Sequence, residues 1–198
     1  MIILENKIEL AVYQQQKIGE IFCGDSYYYD SFDEQFICVI VDGLGSGREA
    51  AKASQMAIQT IKEHKELQTK QIVKIISQKM AGQRGVVLGI LRLDFANQRY
   101  SFESIGNIGL LITCDQQKKR TLPNAGYLAG YYPNLHVSKG VLDKSMNFIL
   151  FSDGVRDEEL ANHVFYHHDV HSIIATFNQI HGQDRIDDTT LIAIHYHH

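Results

Sequence analysis

The run ICVIVDGLGSG, residues 37–47, is a continuous apolar stretch that breaks into an aspartate and three glycines at alternate positions. Apolar residues without polar alternation describe a strand covered on both faces. Asp42 therefore stands at a strand end, where two readings compete. A dinucleotide loop needs its third glycine one position beyond Gly47, where Arg48 stands, and a Walker loop needs Lys followed by Ser or Thr. Neither pattern is met. What remains is a carboxylate beside Gly43, whose bare backbone can come close to an ion and offer it a carbonyl.

Upstream, IELAVYQ (8–14) and EIFCGDSYYY (20–29) alternate apolar and polar residues, and DSFDEQ (30–35) supplies a turn, so a hairpin is expected to precede Asp42. Downstream the period changes. Ala50, Ala53, Ala57, Ile58 and Ile61 recur at helical spacing over 48–64, as do Ile72, Val73, Ile76 and Met80 over 69–80. Then GVVLGILRLD (85–94), RYSFESI (99–105) and GLLITC (109–114) predict three successive strands, an antiparallel meander turning at FANQ and DQQK. A loop, LPNAGYLAGYYPN (122–134), separates them from a second buried strand, NFILFSDG (147–154), that also ends in aspartate and glycine. Asp169 is placed to cap a helix with Ile173, Ile174, Phe177 and Ile180 on one face and Gly182 at its end, and TTLIAIHY (189–196) is a last strand. Strands outnumber helices and helices come in blocks, which predicts α+β: two packed, mainly antiparallel sheets flanked by helices.

The 198 residues contain no linker-like stretch, so one domain spanning 1–198 is expected. A net charge of -4 offers no electrostatic attraction to nucleic acid or an anionic membrane surface. No apolar run has the length of a membrane span, and MIILENKIEL carries acidic residues where a signal peptide would be basic; a cytoplasmic location is expected. Cys23, Cys38 and Cys114 form no CxxC pair and are expected as free thiols. His163, His167 and His171 would share a zinc-binding face only if one helix ran through all three, which a cap at Asp169 would prevent; a solvated polar segment is expected. The aromatics of YYYD (27–30) are read as packing residues. Arg48 stands open between phosphate contact and exposure on a first helical turn.

Four strand ends carry acid: Asp25 in CGDS, Asp42 in VDGLGSG, Asp153 in FSDGV, and Asp187 with Asp188 in IDDTT. Each alone is an ordinary turn or cap. Gathered at one edge they would repel strongly unless cations neutralised them, and hard divalent ions such as Mg²⁺ and Mn²⁺ prefer oxygen ligands of this kind.

In order, CGDS, VDGLGSGREAAKAS, SIGNIGLL, FSDGV and DDTT resemble the motifs of the PP2C-type metal-dependent protein phosphatases, in the SpoIIE-like branch, over about residues 7–196. The resemblance implies an αββα sandwich with two Mn²⁺ or Mg²⁺ ions at one edge. It implies Asp42 and Asp153 as catalytic, Asp42 bridging both ions, Gly43 contributing its carbonyl, and Asp25, Asp153 and Asp187 as further ligands. Asp188 stands behind Asp187 or in its place. The implied reaction is hydrolysis of phosphoserine or phosphothreonine by metal-activated water. The implied substrates are phosphorylated STAS-domain and scaffold proteins of the stressosome, acted on by a monomer as a negative regulator of stress signalling. Another anti-anti-sigma-type regulator as substrate, or a non-catalytic binding module on the same fold, are the alternatives.

The chain also departs from the pattern. Leu44 stands where many eukaryotic relatives have a histidine, and Asn107 in GNIG replaces an aspartate associated with a third ion. No arginine in the first strand grips the phosphate; Lys17 is a substitute or a solvated lysine.

Overall fold

Asp33 and Glu34 both lie in the left-handed region, φ 46° and 57°, and close a two-residue turn of the kind whose twist matches a hairpin. They join β3 (Asp25–Phe32) to β4 (Gln35–Gly43) in antiparallel register. The structure is a computed structural model describing residues 2–4, 7–114, 117–121, 123–132, 134–161, 163–182 and 185–197. Two sheets face each other. One has the order β3-β4-β5-β6-β9, with β5 Val86–Asp94, β6 Arg99–Ile105 and β9 His136–Val141. The other has the order β1-β2-β11-β10-β7-β8, with β1 Ile2–Leu4, β2 Ile8–Gln15, β7 Gly109–Cys114, β8 Gln117–Arg120, β10 Ser145–Phe151 and β11 Thr189–His197.

The continuous apolar character of 37–41 has its cause in this layering. Phe36, Cys38 and Ile40 point between the sheets, where they meet Phe102, Phe148, Ile192 and Ile194. Their neighbours Ile37, Val39 and Val41 point outward, under α1 (Gly47–Glu63) and α2 (Thr69–Lys79), against Ala53, Ala57, Ile61, Ile72 and Ile76. On the other outer face α4 (Val170–His181) and the short α3 (Asp157–Leu160) cover Tyr13, Ile149, Phe151 and Leu191. The result is the expected αββα sandwich.

Several local expectations need correction. The meander does not continue through β7: after β6 the chain bends at Gly106, φ 87°, leaves the sheet, and β7 pairs with β10 in the opposite one. Crossing over puts Ile108, Leu110 and Ile112 across the sandwich from Phe102, in the same core. The strand expected over 20–29 begins only at Asp25, leaving Ile21 and Phe22 exposed in a loop. Ile180 is exposed, although Ile173 and Phe177 of its helix are buried. β8 and β9 escaped notice because the first is wholly exposed and the second half so, with no apolar period to read. The turn expected at DQQK falls partly on residues 115 and 116, outside the described residues.

Asp169 does cap α4, its carboxylate accepting from His171 N, so a short 3₁₀ turn over His163–Tyr166 is separated from α4 and no single helix aligns the three histidines. Cys23 and Cys38 are free thiols. Among the described residues no helix is long and apolar enough to cross a membrane.

Candidate metal centre

Asp25 opens β3 and Asp42 ends β4, and the register sets them opposite each other as Cα partners. The second sheet arrives at the same end. Ser152 Oγ, one residue before Asp153, donates to Asp25 Oδ2 at 2.7 Å, and Thr190 Oγ1 of β11 donates to the same oxygen at 2.8 Å. One carboxylate oxygen thus ties three strand ends from both sheets. Its other oxygen, Oδ1, is buried and has no partner among the described residues.

Glycine is required next to two of these acids. A side chain at Gly43 would collide with the backbone of Ala50, and one at Gly154 with Asp188 O and Thr189. These close approaches draw α1 onto the end of β4 and the 153–154 turn onto the start of β11. Asn107 Nδ2 donates to Asp153 Oδ2 at 2.5 Å, while Asn107 Oδ1 is buried without a partner among the described residues.

Adjacent Asp187 and Asp188 have different environments. Asp188 is 3% exposed, its Oδ1 accepting from Lys17 N at 3.0 Å and its Oδ2 from Gly24 N at 2.9 Å. Asp187 is exposed, and its Oδ1 accepts from Asp188 N at 3.0 Å. Both oxygens of Asp188 are therefore engaged in fastening the 17–24 loop to β11.

Burial pushes the Asp42 carboxyl up to about 8, reinforced by Asp25, Asp153, Asp187 and Asp188. Burial also raises Asp25, to about 7; hydrogen bonds from Ser152 and Thr190 oppose the shift, and Asp188 and Asp153 add to it. Asp153 is raised by burial and by Asp187. These acids, distant in the chain, feel one another's charge, and a bound divalent cation would reverse the sign of that environment. Among the described residues no three His, Cys, Asp or Glu side chains close around a single point in ligand geometry. The acids are gathered, and the orphaned Asp25 Oδ1 together with an all-oxygen donor set fits a hard cation.

Beneath the centre lies a pair that the sequence did not announce. Arg185, 5% exposed, grips the fully buried Glu159 with both arms, Nη1 to Oε1 at 2.6 Å and Nη2 to Oε2 at 3.1 Å. Nη2 also donates to Gly154 O at 2.7 Å and Nε to Thr189 Oγ1 at 3.0 Å, so the same guanidinium holds the loops of Asp153 and Asp187. Burial opposes the Glu159 charge, but the Arg185 bonds outweigh it and hold the carboxyl below its usual range. Neither residue lies in a recognisable motif, and no local signal marks the pairing.

Leu44 packs against the inter-sheet core and offers no proton. Arg48 lies over the Phe22 ring at 5.5 Å.

No family model matches the chain. The phosphoserine phosphatase RsbX of Bacillus subtilis (strain 168) is 27% identical over 186 residues, covering 93% of each chain. A crystal structure of RsbX in complex with magnesium superposes with TM-score 0.89 at 26% identity, covering 97% of this chain and 96% of that one. A structure described under the bacterial stressosome superposes at 0.82 with 26% identity over 96% of this chain and all of that one. The catalytic domain of the serine/threonine phosphatase PstP with two manganese ions shares the fold, at TM-score 0.74 and 14% identity, covering 96% and 98%. The chain has the PP2C fold and resembles RsbX along almost its whole length.

Proposed function

We propose that the protein is a Mn²⁺- or Mg²⁺-dependent phosphoserine/phosphothreonine protein phosphatase of the PP2C type, acting as a single domain in the cytoplasm. The observation that carries the reading is the meeting of Asp25, Asp42, Asp153 and Asp187 at one end of a sandwich whose two sheets supply them separately. Similarity to RsbX over 93% of the chain supports it.

In this reading Asp42, the Gly43 carbonyl, Asp25, Asp153 and Asp187 would hold two divalent cations, whose chemistry would be to lower the pKa of water so that a nucleophile is available at neutral pH. The chain's own residues prepare that chemistry. Ser152 and Thr190 occupy one oxygen of Asp25 and leave the other for ligation. Asn107 orients Asp153 through Oδ2. Asp188 anchors the loop before Asp25 by accepting an N–H bond on each of its oxygens. Burial, then the charges of Asp25 and Asp188, raise the pKa of the Cys23 thiol.

The substrates are phosphorylated STAS-domain and scaffold proteins of a stressosome, dephosphorylated by a monomer that thereby damps stress signalling; the similarity to RsbX and to the stressosome-associated structure supports this choice. Incubating phosphorylated scaffold and STAS proteins with the enzyme and Mn²⁺, and following each phosphosite by mass spectrometry, tests it. Loss of phosphate from those sites, abolished by Asp42→Asn, is expected. Failure to hydrolyse any phosphate ester with Mn²⁺ would leave a binding module.

A further inference from the structure

β3 is the outermost strand of its sheet, so one margin of its backbone is unpaired. The register identifies the groups that face outward. Gly43 N donates to Gly24 O, and the ladder closes on Phe32 and Gln35 around the two-residue turn, so residues 24, 26, 28, 30 and 32 bond to β4. Residues 25, 27, 29 and 31 turn their N–H and C=O groups outward. Side chains close both ends of that margin: Gln14 Nε2 donates to Asp25 O at 3.2 Å, and Asp30 Oδ1 accepts from Ser31 N at 3.0 Å. Between them the outward N–H and C=O groups of Tyr27 and Tyr29 have no protein partner among the described residues.

A groove of about 500 Å³ lies beside the Asp25–Tyr27 part of this margin, lined also by Ile21 and Phe22 and by Ala51, Gln55, Ile58 and Lys62 of α1. Those helix residues span three turns, roughly 16 Å, the reach of about five extended residues. Asp25 is at once the head of the groove and a member of the carboxylate cluster. Ile21 and Phe22, at the groove mouth, are 85% and 41% exposed.

We propose that this margin is where the protein substrate docks: an extended segment carrying the phosphoserine adds to β3 as a further strand. Its backbone pairs with Tyr27 and Tyr29, an apolar side chain lies against Ile21, Phe22 and Ile58, and the phosphoresidue reaches the acids around Asp25. The inference rests on the phosphatase reading above. An open strand edge recruits any extended chain through main-chain bonds. What selects a substrate segment is continuity, because Tyr27 lies only two residues, about 7 Å, from Asp25.

The test uses a synthetic phosphoserine peptide of about nine residues alternating Val and Thr, the same peptide N-methylated on alternate residues, and p-nitrophenyl phosphate, which needs no strand pairing. With Mn²⁺, N-methylation on the pairing side is expected to lower kcat/KM for the peptide about tenfold, mainly through KM, as loss of one or two hydrogen bonds would. Tyr29→Pro removes an outward N–H while sparing the β3–β4 ladder. It should lower the ratio of peptide to p-nitrophenyl phosphate turnover similarly, and Tyr29→Val should not. Hydrogen exchange at the Tyr27 and Tyr29 amides should slow when the peptide is added. An unchanged exchange rate and indifference to N-methylation would overturn the docking site, as would a concentration-dependent dimer that protects these amides without peptide. Absence of Mn²⁺-dependent p-nitrophenyl phosphate hydrolysis would instead overturn the phosphatase reading, with exchange protection still deciding the docking site.

Discussion

Arg185 and Glu159 form a buried, two-armed ion pair under the acids, 2.6 and 3.1 Å between partner atoms, and Arg185 spends its remaining donors on Gly154 O, Thr189 Oγ1 and His181 O. Removing Arg185 leaves the buried Glu159 carboxylate, among the described residues, only the Arg156 amide and guanidinium and His181 as partners, so the cost lies at or below the about 3–5 kcal/mol of a fully broken buried pair. Arg185→Ala should lose up to that much in urea unfolding, and surviving enzyme should need more Mn²⁺ for half-maximal activity because the Asp153 and Asp187 loops are no longer tied together. Loss of stability with an unchanged Mn²⁺ requirement would separate the pair from the metal centre.

Asp42→Asn should abolish Mn²⁺-dependent hydrolysis of p-nitrophenyl phosphate. The same substitution should stabilise the chelator-treated protein by about 1 kcal/mol, because it removes one of several mutually repelling acids. Thermal unfolding in the presence of a chelator measures the second effect. A wild-type protein no less stable than the variant would argue against a strained acidic cluster.

Divalent cation should stabilise the native state, which gathers the acids, and not the unfolded chain, which scatters them. At a concentration about one hundred times its Kd, Mn²⁺ is expected to add about 2.7 kcal/mol. A Tm that rises with Mn²⁺ in the wild type but not in Asp42→Asn would locate the binding.

Gly43→Ala is expected to be damaging out of proportion to one methyl group. The added carbon meets the Ala50 backbone, not a flexible side chain, so α1 must shift from β4, at a cost of about 1–3 kcal/mol. Both the urea midpoint and the Mn²⁺ affinity should fall.

His195 should contribute a loss of stability below about pH 6.5, the ordinary histidine value, opposite in sign to the contribution of the raised Asp25 and Asp42. Asn147 Oδ1 accepts from its Nδ1 at 2.7 Å, and burial, then His168 and His197, lower its pKa in the folded protein. The unfolded chain therefore takes up a proton that the folded chain resists, and stability is lost as pH falls from the unfolded pKa toward the folded one. The urea midpoint of His195→Gln relative to that of the wild type should be higher at pH 5.5 than at pH 7.5.

Much of the architecture was legible because periodicity is local. The run 37–41 announced a strand covered on both faces, and α1 and α2 showed their buried alanines and isoleucines at helical spacing. The crossing of β7 was not legible. A three-residue bend at 106–108 reads like a hairpin turn, and only the apolar faces waiting on the opposite sheet decide where the strand goes. β9 was missed for a related reason: an edge strand with alternating exposure buries too little to leave a pattern.

The amino-acid order alone determined that acids would stand at strand ends, since an apolar run followed by Asp-Gly places a carboxylate where the chain leaves the core. Tertiary structure decided what each acid does. Asp187 and Asp188 are chemically identical neighbours, yet only Asp188 meets the N–H groups of Lys17 and Gly24, and only the folded chain brings those groups within reach. Arg185 and Glu159 likewise find each other across 26 residues. Backbone N–H groups and buried charges carry no mark in sequence of the partner they will take, because that choice is made by packing between segments remote in the chain.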